Sequence, residues 1–253
     1  MAVNVLSVIN ENLDFQTKNN IISFINDESK LPEWSKRLND YFVGNNIDLK
    51  MQTKYKQNKQ RLKNPSYKRF FDFISESSGV MVDLASGPSG YFSPLLDRLC
   101  DDNALILTDA CPAVIHAHSN ACMNPNFYVF EADLDKELPF KNESISAFSG
   151  NLLNNVDNYS GLIKEVYRCL KPNGRFAVIE MFFEHGCETF DYLNKKGAIW
   201  SSFETLVDYC TKNGLSYVDS EIIAKTKGKL SERDMLPLND NDVSTMRIVY
   251  FTK

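Results

Sequence analysis

Three acids in this chain stand where a short apolar run gives out. Asp83 ends Val80-Met81-Val82, Asp109 ends Ile106-Leu107-Thr108, and Asp133 follows Phe127 to Phe130 by three residues. The first acid leads into a turn of small residues, Ala85-Ser86-Gly87-Pro88-Ser89-Gly90, where backbone can approach a ligand closely. A helix opening after such a turn directs free N–H groups at whatever lies there. Short apolar runs that stop at Gly-rich turns read as buried strands. In a parallel sheet, ligands bind beyond the carboxyl ends of the strands, where the strand order reverses. The three acids therefore mark one crevice.

Two ligands compete for that crevice. Ala85-x-Gly87-x-x-Gly90, with Asp109 further on, passes loosely as a dinucleotide fingerprint. Asp83 argues against a pyrophosphate beside it, because two negative charges about 5 Å apart repel by on the order of 3 kcal/mol at an effective dielectric near 20. The same carboxylate suits a cationic ligand. S-adenosylmethionine carries a sulfonium and an ammonium and no phosphate, so the residues favour it.

From Val80 to Met181 the chain resembles the class I S-adenosylmethionine-dependent methyltransferases. Asp83-x-Ala85-x-Gly87-x-Ser89 is similar to their acid-x-Gly-x-Gly-x-Gly loop, with Ala and Ser for the first and third Gly, although Gly90 follows at once. Gly87-Pro88-Ser89 is similar to the branch that includes nicotinamide and phenylethanolamine N-methyltransferases. Leu107-Thr108-Asp109, Glu131-Ala132-Asp133-Leu134, the segment Gly150 to Val156 and Leu170-Lys171-Pro172-Asn173-Gly174-Arg175 match later family motifs in order. The resemblance implies that Asp83 and Gly87 meet the methionine part of the cofactor, with Ala85 and Ser89 in the same loop. It implies that Asp109, beside Ala110, accepts from the ribose hydroxyls. Asp133, beside Leu134, would take the adenine amino group, and Asn151 would border both cofactor and acceptor.

The elements that must position these residues divide the chain in two. Residues 1–76 space their large residues at helical intervals in IISFI (21–25), LPEWSKRLNDYF (31–42) and YKRFFDFI (67–74), which predicts a helical N-terminal cap. Residues 77–253 alternate strand and helix patterns and close with two β-like stretches, Ser216 to Ala224 and Ser244 to Thr252. This predicts an α/β fold: a doubly wound, mostly parallel seven-stranded sheet with its last strand antiparallel. A helix is expected to open at Ser93-Pro94, and another behind the capping box Ser201-Ser202-Phe203-Glu204.

Composition bounds the rest. The 253 residues are 43% hydrophobic and 24% charged, which is ordinary for a globular protein and excludes disordered and low-complexity classes. No apolar run approaches a membrane span, and the N-terminal residues do not form a secretory signal. Six cysteines without a C-x-x-C pair read as free thiols, so the expected location is cytoplasmic. The net charge of −5 argues against a general nucleic-acid binder. The charge is uneven, at +3 over residues 1–76 (12 basic, 9 acidic) and −8 beyond (16 basic, 24 acidic). Lys50 to Arg69 holds eight Lys or Arg and no acid, and reads as a solvated face, a site for an anionic acceptor or the cofactor carboxylate, or an RNA contact.

Methyl transfer from a sulfonium is a displacement in which alignment supplies much of the catalysis, and a base is needed only for a protonated acceptor. His185, just past the fifth strand of the methyltransferase pattern, is the candidate base; His116, His118 and Cys122 form no convincing metal set, and no metal is expected. Phe182, Phe183 and Trp200 frame the acceptor side, with Tyr55 and Tyr67 of the cap expected to close over it. An Asn/Asp-Pro-Pro-Tyr/Phe motif is absent, which counts against the amino-group methyltransferases of DNA. The expected activity is methylation of oxygen or nitrogen on a small molecule. An RNA-directed methyltransferase and a non-catalytic cofactor-binding module are the alternatives. Titration calorimetry should show binding of S-adenosylmethionine or S-adenosylhomocysteine and none of NAD; tight NAD binding without response to either would contradict the reading.

Overall fold

The computed structural model describes residues 3–25, 27, 29, 31–229 and 236–253. Among them, nine strands form one sheet. They are β1 (Gln16–Lys18), β2 (Ile21–Ser23), β3 (Gly79–Leu84), β4 (Asn103–Asp109), β5 (Phe127–Glu131), β6 (Ile145–Asn151), β7 (Leu170–Phe183), β8 (Ser216–Lys227) and β9 (Val243–Thr252). The order across the sheet is β1-β2-β5-β4-β3-β6-β7-β9-β8. The block from β2 to β7 is parallel, while β9 runs antiparallel to both β7 and β8. The predicted α/β sheet and terminal hairpin are therefore present, and seven of the nine strands are the expected ones.

The helices are α1 (Glu33–Gly44), α2 (Met51–Lys59), α3 (Pro65–Ser75), α4 (Pro112–Ala121), α5 (Tyr159–Cys169), α6 (Glu188–Lys195) and α7 (Phe203–Lys212). Each sheet face carries its own buried cluster. Phe70, Phe71 and Ile74 of α3 join Met81, Leu105 and Tyr250 on one face, and Val82, Phe148, Val166 and Leu206 lie on the other. α7 starts at the expected cap, where Ser202 Oγ accepts from Thr205 N at 3.1 Å. Lys171 to Gly174 bulge out of the β6–β7 pairing, which passes from Ile145↔Leu170 to Ala147↔Arg175.

Three expectations need correction. The sheet has nine strands rather than seven, because the first residues extend it. β2 pairs parallel with β5 and antiparallel with β1, so residues 1–76 are only partly helical and their boundary with the remainder is crossed by sheet hydrogen bonds. A five-residue apolar run such as IISFI has no decisive period, and pairing with the open edge of β5 settles it. Finally, the segment Ser93–Arg98 is a 3-10 turn rather than an α-helix, and Cys100 beyond it is exposed.

Ile22 is 2% exposed at the β2–β5 seam. Ile22→Ala should lower unfolding free energy by about 2–5 kcal/mol. Urea denaturation checks this, and an unchanged midpoint would show that the N-terminal strands do not belong to the cooperative unit.

Candidate active site

The strand order reverses about β3, whose neighbours are β4 on one side and β6 on the other. Asp83 sits at the end of β3, directly across from Ser149 of β6. Ser149 Oγ donates to Asp83 Oδ1 at 2.6 Å, and the hydroxyls of Ser86 and Thr108 both donate to Asp83 O at 3.1 Å. The strand end and the start of the turn are thereby tied together. Asp109 closes β4 and is 3% exposed. Its Oδ2 accepts from Gly87 N and its Oδ1 from Cys111 N, each at 2.8 Å. Gly87 thus supplies the bare N–H that links the turn to the second acid. Each carboxylate oxygen keeps a further lone pair for a ligand hydroxyl.

Burial dominates the electrostatics of both acids. Loss of water raises the Asp83 carboxyl to about 6, opposed by the Ser149 hydrogen bond and assisted by the nearby Asp109 charge. Asp109 is also raised to about 6 by burial, against the N–H groups of Cys111 and Gly87. Two acids held partly protonated at neutral pH form a site that gains from a cation.

Ala85 adopts φ 47, the left-handed region. The resembled motif has Gly at this position, and a Cβ there costs roughly 1–2 kcal/mol. Here the turn keeps its conformation with the methyl group in place. Leu152 repeats the feature after β6, at φ 57.

A narrow crevice opens beside the turn. Ala85, Asp109, Ala110, Asp133 and Leu134 line it. Asp133 is held there by Lys136 at 3.0 Å and by Asp135 N at 3.1 Å. Asp83, Gly87 and Ser89 are in the adjoining backbone rather than in the cleft lining, and Asn151 ends β6 outside it. Pro32 and Trp34, at the start of α1, also line the cleft. Sequence reading missed both; the signal was a Trp at the opening of an N-terminal helix, which reads equally as packing.

A second and larger cleft, about 880 Å³, lies past the ends of β6 and β7. Val156 lines both clefts, so they adjoin. Tyr159, Met181, Phe183, Tyr192 and Trp200 give it aromatic and apolar walls. Phe183 and Trp200 thus share one cleft. Phe182 does not line it: it is 3% exposed on the opposite face of β7 and packs edge-on against Phe203 with centroids 6.0 Å apart. Alternation along the strand sends neighbouring side chains to opposite faces.

His185 is also elsewhere. Its side chain is 69% exposed, lies on Phe190 with ring centroids 4.3 Å apart, and has Nε2 3.7 Å from Glu204. It lines neither cleft. Tyr55 and Tyr67 do not reach the acceptor side. Tyr55 is buried with its hydroxyl on His118 Nδ1 at 2.7 Å, and Tyr67 packs on Tyr91 at 5.7 Å. Among the described residues, none from 1–76 lines the larger cleft.

Glu180 went unrecognised because it follows a run of strand residues without a partner motif. It is wholly buried in β7, and burial raises its carboxyl to about 8. Its Oε1 accepts from Met181 N at 3.0 Å. Among the described residues, Oε2 and the neighbouring Tyr159 hydroxyl are buried without a partner in good hydrogen-bond geometry.

Residues 82–178 match the family described as methyltransferase domain. The match runs from β3 into β7, the segment that carries all three acids. No curated protein matches the sequence. Among solved structures, a geranyl diphosphate C-methyltransferase from Streptomyces coelicolor A3(2) is similar at 13% identity, over 76% of this chain and 80% of that one, with TM-score 0.57. An S-adenosylmethionine dependent methyltransferase from Mesorhizobium loti is similar at 16% identity, over 75% and 96%, with TM-score 0.54. Haemonchus contortus phosphoethanolamine N-methyltransferase 2, in complex with S-adenosyl-L-methionine, gives 13%, 75%, 52% and 0.54 for the same quantities. At such identities the likeness establishes the fold.

The raised acids make stability depend on pH. An aspartate that titrates near 3.8 in the unfolded chain and near 6 in the folded one binds its proton more tightly when folded. The associated stability is full below about pH 4 and is lost as pH rises through 6, on the order of 3 kcal/mol for one such carboxyl. Asp83→Asn should therefore flatten the loss between pH 4 and 7 and leave the ligand-free protein more stable at pH 7. Thermal melts across that range check it; equal slopes in the two proteins would contradict the burial argument.

Proposed function

We propose that this protein, an S-adenosylmethionine-dependent methyltransferase by its domain and fold, transfers the methyl group to an oxygen or nitrogen of a small molecule held in the larger cleft. The observation that carries the reading is the meeting of the two clefts at Val156. The smaller has acids suited to the cofactor and the larger has aromatic walls suited to an organic acceptor. The cofactor seat combines Asp83 and the turn for the cationic methionine part, Asp109 for the ribose and Asp133 for the adenine amino group. Asp109 can accept from both hydroxyls because its carboxylate has lone pairs beyond those used by Gly87 and Cys111.

The chemistry asks little of the protein beyond alignment. The acceptor lone pair attacks the methyl carbon as the carbon–sulfur bond breaks, and S-adenosylhomocysteine leaves. Holding the two partners in line within contact distance supplies a large part of the rate. An acceptor that starts protonated gives up its proton, and Asp157, a carboxylate that lines the larger cleft, is our candidate to take it. Pro32 and Trp34, at the start of α1, line the smaller cleft, which supports a role for the N-terminal residues on the cofactor side.

The basic segment 50–69 supports a small acceptor over RNA. Lys54 is bonded to Pro88 O, Lys59 to Asp97, Lys68 to Asp72, and Arg69 to Asp219 and Glu221. Arg61 stacks on Tyr91 at 4.4 Å. Cations so engaged leave little of the stretch to track a phosphate backbone. Gly87-Pro88-Ser89 supports a nitrogen acceptor of the kind used by the nicotinamide and phenylethanolamine branch. The six free cysteines fit a cytoplasmic location, and among the described residues no helix is long and apolar enough to cross a membrane.

Radiolabelled methyl donor should label a small-molecule fraction rather than RNA. Once an acceptor is in hand, Trp200→Ala should raise its KM about tenfold or more, equivalent to about 1.4 kcal/mol, while the affinity for S-adenosylhomocysteine stays within twofold. Label in RNA alone, or an unchanged KM, would overturn the assignment of the larger cleft.

A further inference from the structure

Within the basic stretch, α2 sends Lys54 and Asn58 to the turn after β3. Four consecutive peptide carbonyls, from Gly87 to Gly90, are each taken by a side chain from α2 or α4. His118 Nε2 is 2.8 Å from Gly87 O, and Lys54 Nζ is 2.6 Å from Pro88 O. Asn58 Nδ2 is 2.9 Å from both Ser89 O and Gly90 O. A carbonyl can only accept, so His118 Nε2 carries the proton. Its Nδ1 then accepts from the Tyr55 hydroxyl at 2.7 Å, which fixes a neutral ring. Burial holds that ring neutral, lowering its pKa to about 4. The Asn58 amide is oriented in the same way. Its Oδ1 accepts from Arg61 Nε at 2.9 Å, which leaves both N–H donors for the turn. Tyr55 presses on the turn as well, lying 2.8 Å from where a Cβ on Gly90 would be, at φ +65.

We infer that α2 is a latch on the cofactor turn, with Lys54, Tyr55 and Asn58, together with His118 of α4, as positioning residues for S-adenosylmethionine. Drawing four carbonyl oxygens toward α2 and α4 leaves the other edge of the turn for the cofactor, and Gly87 N already points to Asp109 on that edge. The latch also explains how Ala85 can hold a left-handed conformation where the resembled motif has glycine. Such a conformation persists only where its surroundings over-determine it. Of the positive charges of the segment, Lys54 thus acts as a donor to one named carbonyl, that of Pro88, and not through a field. The inference rests on the turn being the cofactor seat.

Calorimetry with S-adenosylhomocysteine and amide hydrogen exchange of the ligand-free protein over residues 83–91 test it together. Asn58→Asp keeps the acceptor for Arg61 and removes both donors to the turn. Lys54→Met removes the third, and Lys54→Arg restores a donor. Lys63→Met removes an exposed charge from the same segment and serves as the control. Asn58→Asp and Lys54→Met should speed exchange across the turn and weaken binding at least tenfold, about 1.4 kcal/mol. Lys54→Arg should recover affinity to within about threefold, and Lys63→Met should match wild type. Equal weakening in Lys63→Met would make the effect general electrostatics, and unchanged exchange and affinity in the latch variants would remove their positioning role; either result overturns the latch. Faster exchange in the latch variants of a wild-type protein that binds no S-adenosylhomocysteine would keep the latch and overturn the cofactor reading instead.

Discussion

The structure depends on keeping two carboxylates out of water at the ends of neighbouring strands. Asp83 and Asp109 are 6% and 3% exposed, on β3 and β4, where the parallel sheet reverses its order. Among the described residues, neither forms an ion pair with a cation of the protein. Each is held by hydrogen bonds: Ser149 on Asp83, and the N–H groups of Gly87 and Cys111 on Asp109. Burial without a counter-ion is costly unless the group is hydrogen-bonded, and it raises the carboxyl pKa. The cost remains as an unmet demand for positive charge, which a sulfonium and an ammonium answer and a phosphate does not.

That demand shapes the surrounding backbone. The turn after β3 must pass close to a ligand and still present N–H groups to Asp109. Ala85 takes up the left-handed bend, Gly87 supplies the bare N–H, and the side of the turn away from Asp109 is held by α2 and α4. The N-terminal residues therefore reach the smaller cleft and the turn beside it. β2 completes the sheet beside β5, α1 brings Pro32 and Trp34 to the cofactor cleft, and α2 reaches the turn.

How much of this was legible in the sequence follows from the range of the interactions involved. Asp83, Asp109 and Asp133 could be placed because each lies at or just past the end of a buried strand whose apolar run is local and continuous. β2 could not, since three residues of strand have no period of their own and β5 decides their pairing. His185 and Phe182 are next to true cleft residues in sequence, yet strand alternation and the turn after β7 carry them away. Tyr55 was recognised as an aromatic of the cap, but its partner His118 lies 63 residues further on, and no local pattern encodes that contact. Lys54 and Asn58 read as a solvated charged face for the same reason. Glu180 looked like one more strand residue, and only the packed fold reveals a carboxyl beside Tyr159 with an oxygen that lacks a partner in good hydrogen-bond geometry among the described residues.

The central claim is that the desolvated acids of the β3 and β4 ends hold the cationic cofactor. Calorimetry of S-adenosylmethionine binding at pH 6, repeated in buffers of different ionisation enthalpy, counts the protons exchanged on binding. Both carboxyls titrate near 6 in the ligand-free protein. A cation settling beside them drives them to the ionised form, and release of up to about one proton per cofactor is expected, falling toward zero by pH 8. Binding with no proton release at pH 6, or with proton uptake, would contradict the account.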